Sequence, residues 1–322
     1  MIFDDPSLNA ALQSAVPGLA GIMLFISFVA GPTFLMFIIP VILWCIDSRL
    51  GIRLMALYSI SFGINSVLEL FFHAPRPYWI SRDVTAFASE TSFSLPSCHA
   101  QVSATVFGYI AVWKKTRAVW AACIAIILLV GISRMYLGMH FLRDILGGWL
   151  VALVIIAASL RYGDAAAAWF FHQGVAARVL ASLVLSGAVV VASQLVILSF
   201  GAWQVPPAWS GLALAQTGVA IDPISMGDAL LSAGILFGVV AGAGICAAHL
   251  RYNAGGSGSH RAARAALGLL FIFLILAVLD GTTKMPGLAG PGMTFVRSAL
   301  IGLWITLGAP YLFCRLGLMA RE

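Results

Sequence analysis

Residues 133–144 read Ser-Arg-Met-Tyr-Leu-Gly-Met-His-Phe-Leu-Arg-Asp. The stretch lies between two long apolar runs, and it carries two arginines, a histidine and an aspartate. Ionisable groups at the edge of hydrocarbon are costly to desolvate, so they mark a functional site by default. His140 and Asp144 are spaced i,i+4 and share a face if the segment is helical. A carboxylate there can accept the Nδ1 proton of the imidazole and leave Nε2 free as a nucleophile. Arg134, just upstream, can hold an anion beside that nitrogen.

The surrounding composition sets the solvent. Of 322 residues, 61% are hydrophobic and 9% charged, against roughly 25% charged in soluble domains. A bilayer crossing takes about 20 apolar residues, and the chain holds many such runs. The formal charge of +6 is read as the basic loops that orient a membrane protein, not as a nucleic-acid surface. The five cysteines have neither metal-ligand nor disulfide spacing. Four are read as core residues, and Cys98 lies beside the candidate site. The N-terminus, MIFDDPSLNAAL, lacks the basic start of a signal peptide.

Taken in order, residues 17–30 read as a helix lying at the interface or inserted partway, interrupted at Gly31-Pro32. Crossings are expected near 33–46, 50–73, 98–114, 117–137, 141–161, 178–200, 227–250, 262–280 and 293–314. The fold class is therefore all-α, a polytopic membrane bundle of about nine transmembrane helices. Loop charges such as Arg49, Arg53, Lys114, Lys115, Arg161, Arg251 and Arg315 fall on one side, which the positive-inside rule makes cytoplasmic. The 74–97, 201–226 and 281–292 loops fall on the other. In the 74–97 loop, Tyr78 and Trp79 read as an interfacial aromatic belt, and Asp83 and Glu90 as solvated loop charges. The 201–226 loop reads as a simple connection in preference to a lid.

Two more clusters share the outer side: HAPRPYW (73–79) and SLPSCHA (94–100). Pro77 and Pro96 interrupt the helical ladder there. Ser97 stands where an N-cap would, and the N–H groups of Cys98, His99 and Ala100 would point out of a helix N-terminus toward an anion. Arg76 and Arg134 supply two permanently charged forks matched to phosphate oxygens. A histidine pair around such a site, with only His140 backed by a carboxylate, suggests in-line phosphoryl transfer: one histidine attacks and the other protonates the leaving oxygen.

The three clusters together resemble the signature of the type 2 phosphatidic acid phosphatases, the lipid-phosphate phosphatases related to vanadium haloperoxidases. That signature is a lysine, six residues, then Arg-Pro; next Pro-Ser-Gly-His; and last Ser-Arg, five residues, His, three residues, Asp. Ser133, Arg134, His140 and Asp144 match the third part in full. Pro96, Ser97 and His99 match the second, and Arg76 and Pro77 the first. The resemblance covers roughly residues 20–162. It implies a metal-independent phosphatase working through a phosphohistidine, with no cofactor and no metal. His140 would be the nucleophile, Asp144 its orienter and His99 the general acid. Arg76, Ser97, Arg134 and the backbone of Cys98 would bind the phosphoryl group. It also divides the chain into a phosphatase-like core, 1–162, and a four-helix C-terminal extension, 163–322, of unassigned role.

Two positions depart from the signature: Glu69 stands where the family has lysine, and Cys98 where it has glycine. At about 5 Å and an effective dielectric near 20, one unit charge at the phosphate is worth about 3 kcal/mol, so exchanging a cation for an anion has an upper bound of about 6 kcal/mol. Two readings follow. The first is an inner-membrane phosphatase of a lipid phosphate monoester or diphosphate, acting at the outer face, with the bilayer and its lipid substrate as partners. The second is a catalytically impaired relative that binds a phospholipid head group or a partner, or assists lipid transport.

Overall fold

The structure is a computed structural model that describes residues 5–285, 287 and 289–321; the side chain of Lys284 lies outside the described set. The chain is helical almost throughout. In order the helices are α1 (Ser7–Ala15), α2 (Ala20–Val29), α3 (Pro32–Cys45), α4 (Ser48–Phe72), α5 (Pro77–Ile80), α6 (Cys98–Lys114) and α7 (Arg117–Tyr136). They continue as α8 (Leu142–His172), α9 (Val175–Ser199), α10 (Pro207–Thr217), α11 (Gly227–His249), α12 (Gly258–Leu279), α13 (Ala289–Leu303) and α14 (Ala309–Arg315). A π-turn at Trp304–Gly308 joins the last two into one continuous rod. Two short strands, β1 (Tyr252–Asn253) and β2 (Ala320–Arg321), pair antiparallel.

Among the described residues, seven helices have the length and hydropathy to cross a bilayer, or eight if the bent pair α1–α2 counts as one span. The number expected from the sequence is about nine. Two of the expected crossings are shorter helices, the 14 residues of α3 and the 17 of α6. The ends of α6 are fixed locally. Ser97 caps its start, and Lys115 leaves the helix at φ 56°, a left-handed value that terminates a helix. The α1–α2 pair is bent by 114°, in keeping with an N-terminal segment that does not cross as one straight helix. The chain is a multi-pass integral membrane protein.

The chain forms two compact units, each discontinuous in sequence. The first comprises residues 1–35, 64–157 and 193–225; the second comprises 36–63, 158–192 and 226–322. In the first, an apolar cluster of Leu70, Tyr78, Trp79, Val84, Phe93, Tyr136, Leu137 and Met139 underlies the loops. Trp203 and Trp209 pack against it, and Trp203 meets His73 edge-on at 5.0 Å. Gln216 on α10 donates to the carbonyls of Tyr78 (3.3 Å) and Ser81 (3.1 Å) and accepts from the Ala86 N–H (3.0 Å). The 201–226 segment is thus fastened over the 77–93 loop, not merely a connection. Tyr78 and Trp79 are 1% and 0% exposed, so they are core residues and not an interfacial belt.

In the second unit, Gly234, Gly238 and Gly242 recur every four residues along α11 and meet the backbone and side chains of α13 and the following π-turn at Phe295, Ala299 and Thr306. Small residues at this spacing let two membrane helices approach closely, where packing and not the hydrophobic effect holds them. Trp44 is fully buried over Gly268 and donates its indole N–H to the Ile305 carbonyl (2.9 Å).

Candidate active site

All the residues singled out from the sequence fall in the first compact unit. The stretch from Ser133 to Asp144 forms the end of α7, a tight turn and the first residues of α8. Gly138 turns the chain at φ +77°, and a Cβ there would meet the Thr85 carbonyl oxygen at 2.6 Å. The Arg134 carbonyl then accepts from the N–H groups of Met139 (3.1 Å) and His140 (3.3 Å). These bonds fix His140 in irregular backbone between the helices. Asp144 lies in the first turn of α8, and its Oδ2 accepts from the Phe141 N–H (2.8 Å). This is the reaching-back half of a capping box.

His140 is 1% exposed. Its Nδ1 lies 2.9 Å from the Ser94 carbonyl oxygen, which can only accept. That assigns the proton to Nδ1 and leaves the Nε2 lone pair facing Arg76 NH1 at 3.1 Å. Asp144 Oδ2 lies 3.6 Å from Nδ1, beyond hydrogen-bonding distance. The expected direct Asp144–His140 bond is therefore replaced by a relay. The Ser94 hydroxyl donates to Asp144 Oδ2 (2.5 Å) while the Ser94 carbonyl holds the imidazole. The physical reason is that Oδ2 is already committed to the helix cap and to Ser94. Burial, followed by the charges of Arg76 and Arg134, pushes the His140 imidazole well below its ordinary range, so it is neutral at physiological pH.

Arg76 ends the extended segment before α5 and is 2% exposed. Its Nε donates to the Ser92 carbonyl (2.7 Å), its NH2 to the Phe93 carbonyl (2.7 Å) and Ser92 Oγ (3.1 Å), and its NH1 to the Met139 carbonyl (3.2 Å). Carbonyls orient the fork without neutralising it. Arg134, 3% exposed, donates to Ser27 Oγ on α2 (3.0 Å) and to Glu90 Oε1 (2.8 Å). Its Nε is buried with no partner among the described residues, and a buried unpaired donor of this kind calls for an acceptor.

Ser97 caps α6 through its hydroxyl, which accepts from the Ala100 N–H (3.4 Å), and its own N–H donates to the Asp144 carbonyl (3.0 Å). The second and third clusters are thereby tied together. His99, in the first turn of α6, packs on Gly31: a Cβ at Gly31 would lie 2.9 Å from the imidazole Cδ2. Glu69 is buried on α4 (6% exposed), and its carbonyl accepts from the His73 N–H (3.0 Å).

Sequence reasoning missed several contributors. Glu90, expected to be a solvated loop charge, pairs with Arg134. Tyr78 holds it there, donating to the Glu90 carbonyl (2.9 Å) and accepting from its N–H (3.1 Å). Burial alone would raise the Glu90 carboxyl, but Arg134, then Arg76 and the two histidines, pull it down to about 2. A carboxylate thus sits within reach of every cationic group that would hold a phosphate. Asn9 on α1 donates to the carbonyls of Met135 (2.8 Å) and His140 (3.0 Å), and Ser27 anchors Arg134. Only the isolated polarity of Ser27 in α2 hinted at its part; Asn9 is one of several polar residues of α1 and gave no signal.

The assembly has the parts of a phosphoryl-transfer site: a neutral imidazole with one unprotonated nitrogen facing Arg76, a second arginine, a capped helix N-terminus and a second histidine. Residues 50–168 match the PAP2 superfamily, and residues 230–321 match a second profile, "PAP2 superfamily phosphatase, transmembrane extension". The chain belongs to the PAP2 superfamily. Among curated relatives, phosphatidylglycerophosphatase B of Bacillus subtilis is 32% identical over 114 residues, covering 33% of this chain and 54% of that protein. Glucose-6-phosphatase 3 of Rattus norvegicus is 28% identical over 170 residues, covering 45% and 49%. The matches to these relatives span about half of their length. The first solved transmembrane PAP2-type phosphatidylglycerolphosphate phosphatase, from Bacillus subtilis, is 27% identical, with a TM-score of 0.42 over 49% of this chain and 85% of that one.

Proposed function

We propose that this membrane protein hydrolyses a lipid phosphate monoester or diphosphate by way of a phosphohistidine on His140, at the extracytoplasmic face of a bacterial inner membrane. The observation that carries this reading is the state of His140: neutral, its Nδ1–H locked on Ser94, and its Nε2 open toward a nest of arginines.

A phosphoryl group entering the site would take the Arg76 N–H now facing Nε2 and satisfy the vacant Arg134 Nε–H. Burial, then the charge of Arg134, holds the His99 imidazole well below its ordinary range, so it is neutral in the empty site and takes its proton from the incoming phosphate monoanion. The Nε2 lone pair attacks phosphorus, the P–O bond to the leaving group breaks, and His99 passes that proton to the departing alkoxide. The imidazolium formed is stabilised through Nδ1–H by the Ser94 carbonyl, with the Asp144 carboxylate close behind. Water then attacks the phosphohistidine, His99 takes its proton, the N–P bond breaks, and inorganic phosphate leaves with His140 neutral again. General acid catalysis of this kind contributes about 10²–10⁴ in rate. A site at the bilayer edge suits a substrate whose tail stays in hydrocarbon, such as an isoprenoid phosphate, phosphatidic acid or a lipid A phosphate.

Purified protein in detergent, with chelator present, should release phosphate from one of a panel of such lipids and lose that activity in His140→Ala. A parent inert on every substrate beside an active Glu69→Lys variant would instead support an impaired, head-group-binding relative, a reading that Glu90 in the cradle and Cys98 at the motif glycine favour. Sidedness has its own test. A cysteine placed at the exposed Arg82 should react with an impermeant thiol reagent from the extracytoplasmic side of intact cells, and labelling only after the inner membrane is opened would reverse the orientation.

A further inference from the structure

The second compact unit contains a cavity of about 780 Å³ that the phosphatase chemistry does not use. Arg49 at the start of α4, Arg178 at the start of α9 and Arg251 just past α11 all line it, with Asp47 as the single acid. Asp47 Oδ1 is engaged in capping α4, accepting from the N–H groups of Arg49 (3.0 Å) and Leu50 (2.9 Å). Arg178 donates to the carbonyls of Gln173 (2.9 Å), Gly244 (2.7 Å) and Phe171 (2.6 Å). These bonds fix its guanidinium, and no carboxylate pairs with it among the described residues. Neither Arg49 nor Arg251 has an ion-pair partner among the described residues. Three cations against one acid therefore surround one space.

The remaining walls are not those of a water-filled basin. Ile46 and Phe171 line the same cavity while 61% and 41% exposed, which offers apolar surface continuous with the hydrocarbon side of the helices. Tyr252 also lines it; burial pushes its phenol up, so it remains a hydrogen-bond donor. All three arginines lie at or just beyond helix ends on the side that the positive-inside rule makes cytoplasmic, where anionic lipids give the leaflet a negative potential. Arginines that only orient the chain need not converge on a cavity.

We infer that this cavity binds the phosphate head group of an anionic phosphodiester lipid, its acyl chains lying along Ile46 and Phe171. The site is separate from the proposed catalytic centre, and a diester head group offers no monoester phosphate to that centre.

The full-length protein would be titrated, by native mass spectrometry, with phosphatidylglycerol, phosphatidylcholine and inorganic phosphate. The same titrations would be run on Arg49→Gln/Arg251→Gln and on Arg49→Lys/Arg251→Lys. Wild type should prefer phosphatidylglycerol to phosphatidylcholine. The glutamine pair should lose roughly 30-fold of that affinity, at about 1 kcal/mol per removed cation, and the lysine pair should retain most of it. Millimolar inorganic phosphate should not displace the lipid. Equal binding of the two lipids, affinity unchanged in the glutamine pair, or displacement by free phosphate would each overturn the assignment. If the glutamine pair fails to fold, Arg251→Gln alone carries the test with a loss of roughly fivefold, because that side chain is exposed and has no hydrogen bond among the described residues.

Discussion

Glu90 Oε1 lies 2.8 Å from Arg134 NH2, so the arginine best placed to receive a phosphate already holds a carboxylate. The arginine side chain is 3% exposed and the glutamate 32%, which leaves the pair open to water on the glutamate side only. The loop carboxylate acts as a counter-ion for the empty cradle. A substrate phosphate must displace it or share Arg134 with it.

Replacing Glu90 with Gln removes that competition. Inorganic phosphate should then inhibit turnover at concentrations lower by roughly tenfold, a discount on the full Coulomb value because the pair is partly screened. Product-inhibition constants measured on parent and variant decide this. Weaker inhibition in Glu90→Gln would mean that Glu90 positions Arg134 for substrate and does not compete with it.

The pH profile should report the neutral nucleophile. His140 attacks only when unprotonated, and its pKa is held well below the ordinary value by burial, then by Arg76 and Arg134. An unperturbed imidazole would lose half its activity near pH 6.5. The acid limb of kcat/KM that belongs to the nucleophile should therefore fall below that value, with the rate kept as pH drops through 6.5. Glu90, at about 2, stays charged across this range and contributes no limb. The adjacent Glu90 charge raises the His140 pKa, so Glu90→Gln should move the limb further toward acid.

Ser94→Ala cuts the relay between Asp144 and His140. The Ser94 carbonyl remains, so the tautomer is kept, but Asp144 Oδ2 loses a donor in a fully buried position. Oδ2 keeps the Phe141 N–H, so what is lost is one hydrogen bond to a charged group, about 1.5–3 kcal/mol. The thermal midpoint should fall accordingly, and kcat should drop by roughly 10- to 100-fold with KM little changed. A drop confined to KM would place Ser94 in substrate binding instead.

The legible part of this site is the part with local spacing. His140 and Asp144 are four residues apart, and Arg134 and Ser97 lie within the same short motifs, so the sequence could place each beside its partners. Glu90 was illegible for a physical reason: a single acid in a polar loop is ordinarily solvated, and only the Tyr78 clamp and the approach of Arg134 make it otherwise. Asn9 and Ser27 meet the site across more than 100 residues of sequence, and no periodicity records such a contact. Hydropathy identified the membrane bundle, and α6 runs over the residues expected of it, Cys98–Lys114, bounded by its Ser97 cap and by Lys115.

Gly31→Ala tests the second histidine. A Cβ at Gly31 would lie 2.9 Å from His99 Cδ2 and 2.5 Å from the Ser27 carbonyl oxygen. Both are closer than real Cβ contacts, and the carbonyl belongs to helix backbone, which yields least. The imidazole of His99 is therefore the group that moves. If His99 protonates the leaving oxygen, its displacement matters in proportion to the basicity of that oxygen. A lipid alkoxide, a poor leaving group, should be released some 10²-fold more slowly, within the range of general acid catalysis. An aryl phosphate, whose phenolate leaves without help, should lose less than about tenfold. Rates for both substrates, measured side by side in parent and Gly31→Ala, separate this from a general loss of structure, which would depress the two equally.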